Sequence, residues 1–235
     1  MLMSSPHGAS ARPAVVVVTA VKSLDAAKSR FAAPGDGLRD AVPGLVLAML
    51  RDTLTAAAAT AGVIGVHVVS PDPAVRAAAE AAGARTVDEP RPGGLNAALE
   101  AGARAARAEH GPTVAVLALQ ADLPGVTPTE LGAFLAATEG RRGFVPDHAG
   151  TGTAALYAPP GTDLGPAFGP DSAAAHEAGG AARHAGPWPG LRTDVDTPQD
   201  LAGARPLGER TTEALAAADR GFASNARVRY ARMER

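Results

Sequence analysis

The feature that most constrains this chain is the run from Val114 to Pro124, VAVLALQADLP, in which an uninterrupted apolar segment stops at an acid and then a proline. Its apolar residues do not recur with helical spacing. A continuous run of this kind suits a strand buried on both faces, the usual state of a central strand in a parallel sheet. That assignment puts Asp122 just past the strand's carboxyl end, the edge of an open α/β sheet where ligands bind. A carboxylate there can hold a metal against a substrate's phosphates. Asp is also a common turn and capping residue, so Asp122 can equally be capping the helix that follows.

A second acidic site lies far along the chain, in LRTDVDTPQDL. Asp194 and Asp196 flank Val195, so in extended chain both side chains point to one face. Two carboxylates on one face repel unless a cation lies between them. Together with Asp122 they make a set of oxygen ligands suited to Mg2+. Thr197-Pro198 then opens a helix with Asp200 in its first turn, which offers a capping role as the alternative.

Between these sites strands and helices alternate. Val15 to Val18 is a β-branched run that reads as the first buried strand. It leads into TAVKSLDAAKSRFA, whose Lys22, Lys28 and Arg30 are placed to meet a triphosphate at the sheet edge, or else form a solvated basic loop. Helical spacing from Pro43, a strand over Val63 to Ser70, a capped helix closing at Gly83 and a short strand over Arg85 to Val87 follow. Such alternation predicts a parallel, right-handed doubly wound sheet. His67 reads as a packed or surface residue on its strand rather than a ligand.

The loop DEPRPGG feeds a helix at about Leu95, where Asn96 can read a base or ribose, or merely cap the helix. Thr127 to Thr138 reads as a helix with Glu130 in its first turn. Beyond residue 140 short strands and glycine loops take over. Thr151 and Thr153 lie in GTGT, which suits a ligand loop or a hairpin turn. Ser172 starts a helical segment whose N–H groups favour an anion, or is a plain N-cap. His176, four residues on, shares its helical face.

Composition narrows the function. With 46% hydrophobic but only 3% aromatic residues, the core must be Ala, Val and Leu, and base-stacking platforms are disfavoured. A net charge of -2 gives no basic field for a nucleic acid, and the absence of cysteine excludes thiolate chemistry and thiolate metal sites. There is no GxxxxGK[ST] P-loop, no signal-peptide pattern and no apolar stretch long enough for a membrane span, so a cytoplasmic protein is expected. The expected organisation is a disordered arm over residues 1–13, one domain over 14–207, and a C-terminal helix with a frayed basic tail over 208–235.

The segments AVKSLDAAKSRF, VLAMLRDTL, QADLPGV, GTGTAAL, FGPDSAAAH, WPGL and DVDTPQDL, in that order, resemble the guanylyltransferases of deazaflavin coenzyme F-420 biosynthesis, the CofC/FbiD family. The resemblance runs from about Ala14 to Leu207. It implies a single-domain GT-A-like nucleotidyltransferase fold, with a central, mostly parallel sheet and helices on both faces. It further implies GTP as donor and phosphoenolpyruvate as acceptor, the actinobacterial pattern, with 2-phospho-L-lactate as the acceptor elsewhere in the family. Carried over residue by residue, it puts the acceptor on Thr153, Gly169 and Ser172 and Mg2+ on Asp122, Asp194 and Asp196. Where the wider superfamily has a glycine-rich loop, this chain has AVKSLDAAKSR, and Lys22, Lys28 and Arg30 are the cations expected at the GTP phosphates. A GT-A glycosyltransferase and a non-catalytic nucleotide-binding module are the competing readings.

Overall fold

The computed structural model describes residues 13–24, 41–204 and 206–218. The chain opens with β1 (Val15–Ala20), α1 (Val42–Ala58), β2 (Val63–Val69), α2 (Pro73–Ala81), β3 (Arg85–Val87) and α3 (Leu95–His110). It continues with β4 (Ala115–Leu119), α4 (Pro128–Ala137), β5 (Gly143–Pro146), β6 (Thr153–Ala158), α5 (Ser172–Ala178), β7 (Ala182–Arg183), α6 (Pro189–Arg192) and α7 (Pro198–Gly203). Residues 209–218 are also helical. The expected arm lies outside the described residues but for Pro13, and so does the expected tail from residue 219 onward.

The strands form one sheet in the order β3-β2-β1-β4-β6-β5-β7. β1 pairs in parallel with β2 on one side and β4 on the other, so the run containing Ala115–Leu119 is central and every residue of it is buried. The sheet is mostly parallel, as expected, and its departure from the parallel pattern is β6, which runs antiparallel to both β4 and β5. The cause is local: residues 147–152 join β5 to β6 as a hairpin, and a short turn can only connect antiparallel neighbours. The GTGT stretch is therefore the end of a hairpin turn and the start of β6.

Alternation along the strands builds two core layers. Val15 and Val17 of β1, with Ala115, Leu117 and Leu119 of β4, pack on one face against Leu50 and Leu54 of α1, Val75 of α2, and Leu131 and Phe134 of α4. Val16, Val18, Val116 and Ala118 face the other way, toward Leu99, Ala103 and Ala106 of α3 and Ala173 of α5. Small residues let α3 lie close to the sheet: a Cβ on Gly102 would stand 2.3 Å from Val18 Cγ1. Helix starts follow local chemistry. Asp72 accepts from the N–H groups of Ala74 and Val75, and Thr127 and Glu130 form a reciprocal capping box.

Candidate active site

At the carboxyl edge of the sheet, the chain leaving β1 and the chain leaving β4 border a cavity of about 280 Å3. Lys22 reaches it from the β1 side and Asp122 from the β4 side, while Asp194 and Asp196 line it from the far end of the sequence. Met49 of α1 and Leu95 at the start of α3 supply apolar wall. Lys28 and Arg30 lie outside the described residues.

Three local devices bring the separated acids together. The Val195 N–H donates to the Asp122 carbonyl at 3.0 Å, joining the DVD segment to the end of β4. The Val195 side chain is buried with Val42, Leu45, Met49 and Leu201, which is worth about 1.5–3 kcal/mol and leaves the two flanking aspartates to line the cavity. Next, Gly125 and Gly190 meet backbone to backbone, and a Cβ on Gly190 would lie 2.0 Å from the Gly125 carbonyl oxygen. The motifs DLPGV and WPGL carry glycine because no side chain fits between them. Capping in the DVD stretch falls to Thr197 and Asp200, whose reciprocal box starts α7, with the Asp196 N–H also donating to Asp200 at 3.2 Å.

The site is electrostatically loaded. Burial pushes the Asp194 carboxyl above its usual range, and the charges of Asp147 and Asp196 push in the same direction. His148 opposes them weakly, its Nδ1 standing 3.8 Å from Asp194 Oδ1. Such an acid is stabilised by an added cation. The donor set, all carboxylate oxygen, fits a hard divalent ion. The three carboxylates line one cavity, and Mg2+ is bound through few carboxylates, its remaining positions going to water and substrate phosphate.

The other expected site residues with described positions are not among those lining that cavity and gather where the start of β6, α5 and the chain before Gly169 meet. Asn96 is not the cap of α3: the N-cap is Gly94, with no side-chain cap bond. Its amide instead closes a two-way clamp on one residue, donating to the Phe168 carbonyl at 3.0 Å and accepting from the Phe168 N–H at 2.8 Å. That clamp holds the chain just before Gly169, whose φ of 139° suits glycine alone. Ser172 is buried in the first turn of α5, after the N-cap Asp171. The expectation of free N–H groups at this helix start is corrected in part: the Ser172 N–H donates to the Gly169 carbonyl at 3.2 Å and the Ala173 N–H to the Thr151 carbonyl at 3.0 Å.

His176 is buried against the rings of Phe144 and Phe168. Its Nε2 accepts from the Ala167 N–H at 2.9 Å, and its Nδ1 lies 2.9 Å from Thr153 Oγ1. Burial lowers its pKa to about 4, so near neutral pH the ring carries one proton. Because Nε2 accepts, that proton is on Nδ1 and points at Thr153. The Thr153 hydroxyl is thereby used as an acceptor, and its own hydrogen is left for a further partner. Both His176 nitrogens are thus engaged by the protein, one by Thr153 and one by the Ala167 N–H.

The MobA-like NTP transferase domain family matches residues 47–188 of the chain. A protein of Nocardia farcinica named phosphoenolpyruvate guanylyltransferase is 52% identical over 200 residues, covering 83% of this chain and 87% of that relative. One of the same name from Mycobacterium sp. (strain KMS) is 50% identical over 218 residues, covering 91% of this chain and 94% of its own length. The chain belongs to the phosphoenolpyruvate guanylyltransferase family. A solved structure from Desulfovibrio desulfuricans G20, described as a nucleotide-diphospho-sugar transferase, superposes with a TM-score of 0.62 at 14% identity over 88% of this chain and 96% of that one, and shares the fold.

For this phosphoenolpyruvate guanylyltransferase family member, sequence reading overlooked two contributors to the site. Asp147 and His148 follow β5 as Asp122 follows β4, and they act on Asp194. The signal was present in GFVPDH, another apolar strand ending in an acid. Asp52, buried in α1, is the second: its carboxylate accepts from the N–H groups of Arg210 at 3.2 Å and Thr211 at 2.8 Å, fastening the C-terminal helix beside the DVD segment. No local pattern announces a cap supplied from 158 residues away.

Proposed function

We propose that the protein transfers GMP from GTP to phosphoenolpyruvate, releasing pyrophosphate and forming enolpyruvyl-2-diphospho-5'-guanosine. The observation that carries this reading is the convergence of Lys22, Asp122, Asp194 and Asp196 on one cavity in a chain about half identical to relatives bearing that name. The acceptor's phosphate is a competent nucleophile at neutral pH, so no general base is required. One of its oxygens forms a bond to the α-phosphorus of GTP, the bond from that phosphorus to the oxygen bridging the α- and β-phosphates breaks, and pyrophosphate leaves with the electron pair.

The chain's own task is positioning and charge neutralisation. Lys22, with Lys28 and Arg30 from the same stretch of the sequence, neutralises the triphosphate and the leaving pyrophosphate. Thr153, Gly169 and Ser172 receive the acceptor, with His176 orienting the Thr153 hydroxyl as a donor and Asn96 holding the loop before Gly169. Nucleotidyltransferases generally employ a divalent metal; here Asp122, Asp194 and Asp196 would hold Mg2+, which supplies positive charge at the phosphates. The product would pass to the next enzyme of coenzyme F-420 biosynthesis.

The test is pyrophosphate release from GTP with phosphoenolpyruvate and with 2-phospho-L-lactate in parallel. Release with phosphoenolpyruvate and identification of the diphosphate-linked guanosine product support the reading. Tight GTP binding without turnover on either acceptor would sink it. Incubation with GTP alone should leave no guanylyl group on the protein by mass spectrometry.

A further inference from the structure

At the opposite end of α3 from the cavity, a second cluster of ligating side chains joins that helix to the sheet. His67 lies on β2 with its side chain only 2% exposed, on the face covered by α3. The last turn of α3 brings Glu109 and His110 against it. His67 Nε2 stands 3.3 Å from Glu109 Oε2, and His110 Nε2 stands 3.9 Å from Glu109 Oε1. One donor atom from each of the three lies within 4.8 Å of the other two, the one such three-residue cluster among the described residues. Gly65 of β2 lies against the same cluster: a Cβ there would touch His110 Nε2 at 3.4 Å, an ordinary contact. Glu109 and His110 are partly exposed, at 38% and 24% of their side-chain surface, so an ion can enter from solvent.

His67 Nδ1 is buried and has no hydrogen-bond partner, which leaves Nε2, 3.3 Å from Glu109 Oε2, as the ring nitrogen that faces the cluster.

We propose that His67 Nε2, His110 Nε2 and the Glu109 carboxylate form a binding site for a late first-row divalent ion of the Zn2+ or Co2+ kind. Tetrahedral Zn2+ with bonds of about 2.0–2.1 Å puts adjacent donors roughly 3.3 Å apart; the His67–Glu109 spacing already matches this at 3.3 Å, and the His110 ring would have to close in from 3.9 Å. Two imidazoles select against Mg2+, which separates this site chemically from the all-oxygen aspartate cavity. Arg85 also pairs with Glu109, orienting the carboxylate while competing for it. α3, 16 residues long, begins at the cavity wall with Leu95 and ends here, so the two sites are roughly 20 Å apart at a rise of about 1.5 Å per residue. The ion would staple the end of α3 to β2 and take no part in transfer. The sequence alone makes His67 a packed or surface residue; it is packed, with Glu109 3.3 Å from its Nε2 and His110 alongside.

The experiment is a Co2+ titration of the full-length, chelator-stripped protein, read by visible absorption and by equilibrium dialysis. The expected result is an intense tetrahedral d–d band that saturates at one equivalent, is discharged by Zn2+ but not by Mg2+, and persists in Asp194→Asn. His110→Ala and Glu109→Gln, both at partly exposed positions, should each weaken Co2+ binding about tenfold or more, with circular dichroism confirming that they fold. Absence of the band in the unmodified protein overturns the proposal. So does a band that survives unweakened in both variants, whether or not it depends on Asp194.

Discussion

The amide of Val195 and the carbonyl of Asp122, 3.0 Å apart, tie together two acidic segments separated by more than seventy residues. This one backbone bond sets the DVD segment against the end of the central strand and makes a single site of two motifs. Its partner interaction is the burial of the Val195 side chain, so the segment is held from its middle while the acids at either side line the cavity.

The loading of Asp194 has a consequence for stability. Its pKa is raised by burial and by Asp147 and Asp196, so the folded protein disfavours the ionised form that the unfolded chain adopts at neutral pH. Asp194→Asn should therefore raise the Tm of the ligand-free protein above that of the parent near neutral pH, while lowering kcat/KM on the order of a hundredfold or more if Asp194 holds the metal as proposed. Calorimetry and pyrophosphate release check the two halves. A variant that is both active and unstabilised would remove Asp194 from the site.

His176 gives the fold an acid-sensitive limb. Its pKa falls from 6.5 to about 4 on burial, so between those values the unfolded chain binds more protons than the folded one. Stability then rises with pH across that window. It is fully present above pH 6.5 and is lost progressively as pH falls toward 4, by about 3 kcal/mol at most. Urea denaturation at a series of pH values should show this slope in the parent and a shallower one in His176→Gln.

The Asn96 clamp predicts a split between substrates. Asn96→Ala leaves the Phe168 N–H and carbonyl without their partner, at a cost of about 1–3 kcal/mol, and loosens the chain ahead of Gly169. Acceptor KM should rise with little change in GTP KM. Thr153→Ala and Ser172→Ala should raise acceptor KM, or lower kcat/KM, about tenfold or more. If these variants instead lose GTP affinity and keep that of the acceptor, the pocket is misassigned.

Asp52 should act as a remote helix cap. Asp52→Ala removes the acceptor for two N–H groups at the start of the C-terminal helix, costing about 1–2 kcal/mol. Amide exchange across residues 209–218 should accelerate well before that of β4.

Elements whose cause is local were legible in the sequence. The buried central strand announced itself as a continuous apolar run, α2 and α4 by their capping residues and prolines, and β3 to its last residue by the flanking breakers. That Asp122, Asp194 and Asp196 are candidates for one site is legible for the same reason, an acid at a strand end and an acid pair at period two, and the structure puts all three at one cavity. The tertiary structure alone decided what depends on partners distant in the chain. Periodicity does not reveal strand direction, so the antiparallel β6 emerged only with the hairpin. Neither does spacing reveal who takes a side chain's hydrogen bonds. Asn96 looked like a cap or a base reader until Phe168, 72 residues on, took both ends of its amide. His176 looked like a ligand contact until Ala167 and Thr153 engaged both its nitrogens, and His67 looked unremarkable until the far end of α3 brought Glu109 and His110 beside it. A sequence records what a residue can donate or accept; only the folded chain determines which groups come close enough for it to do so.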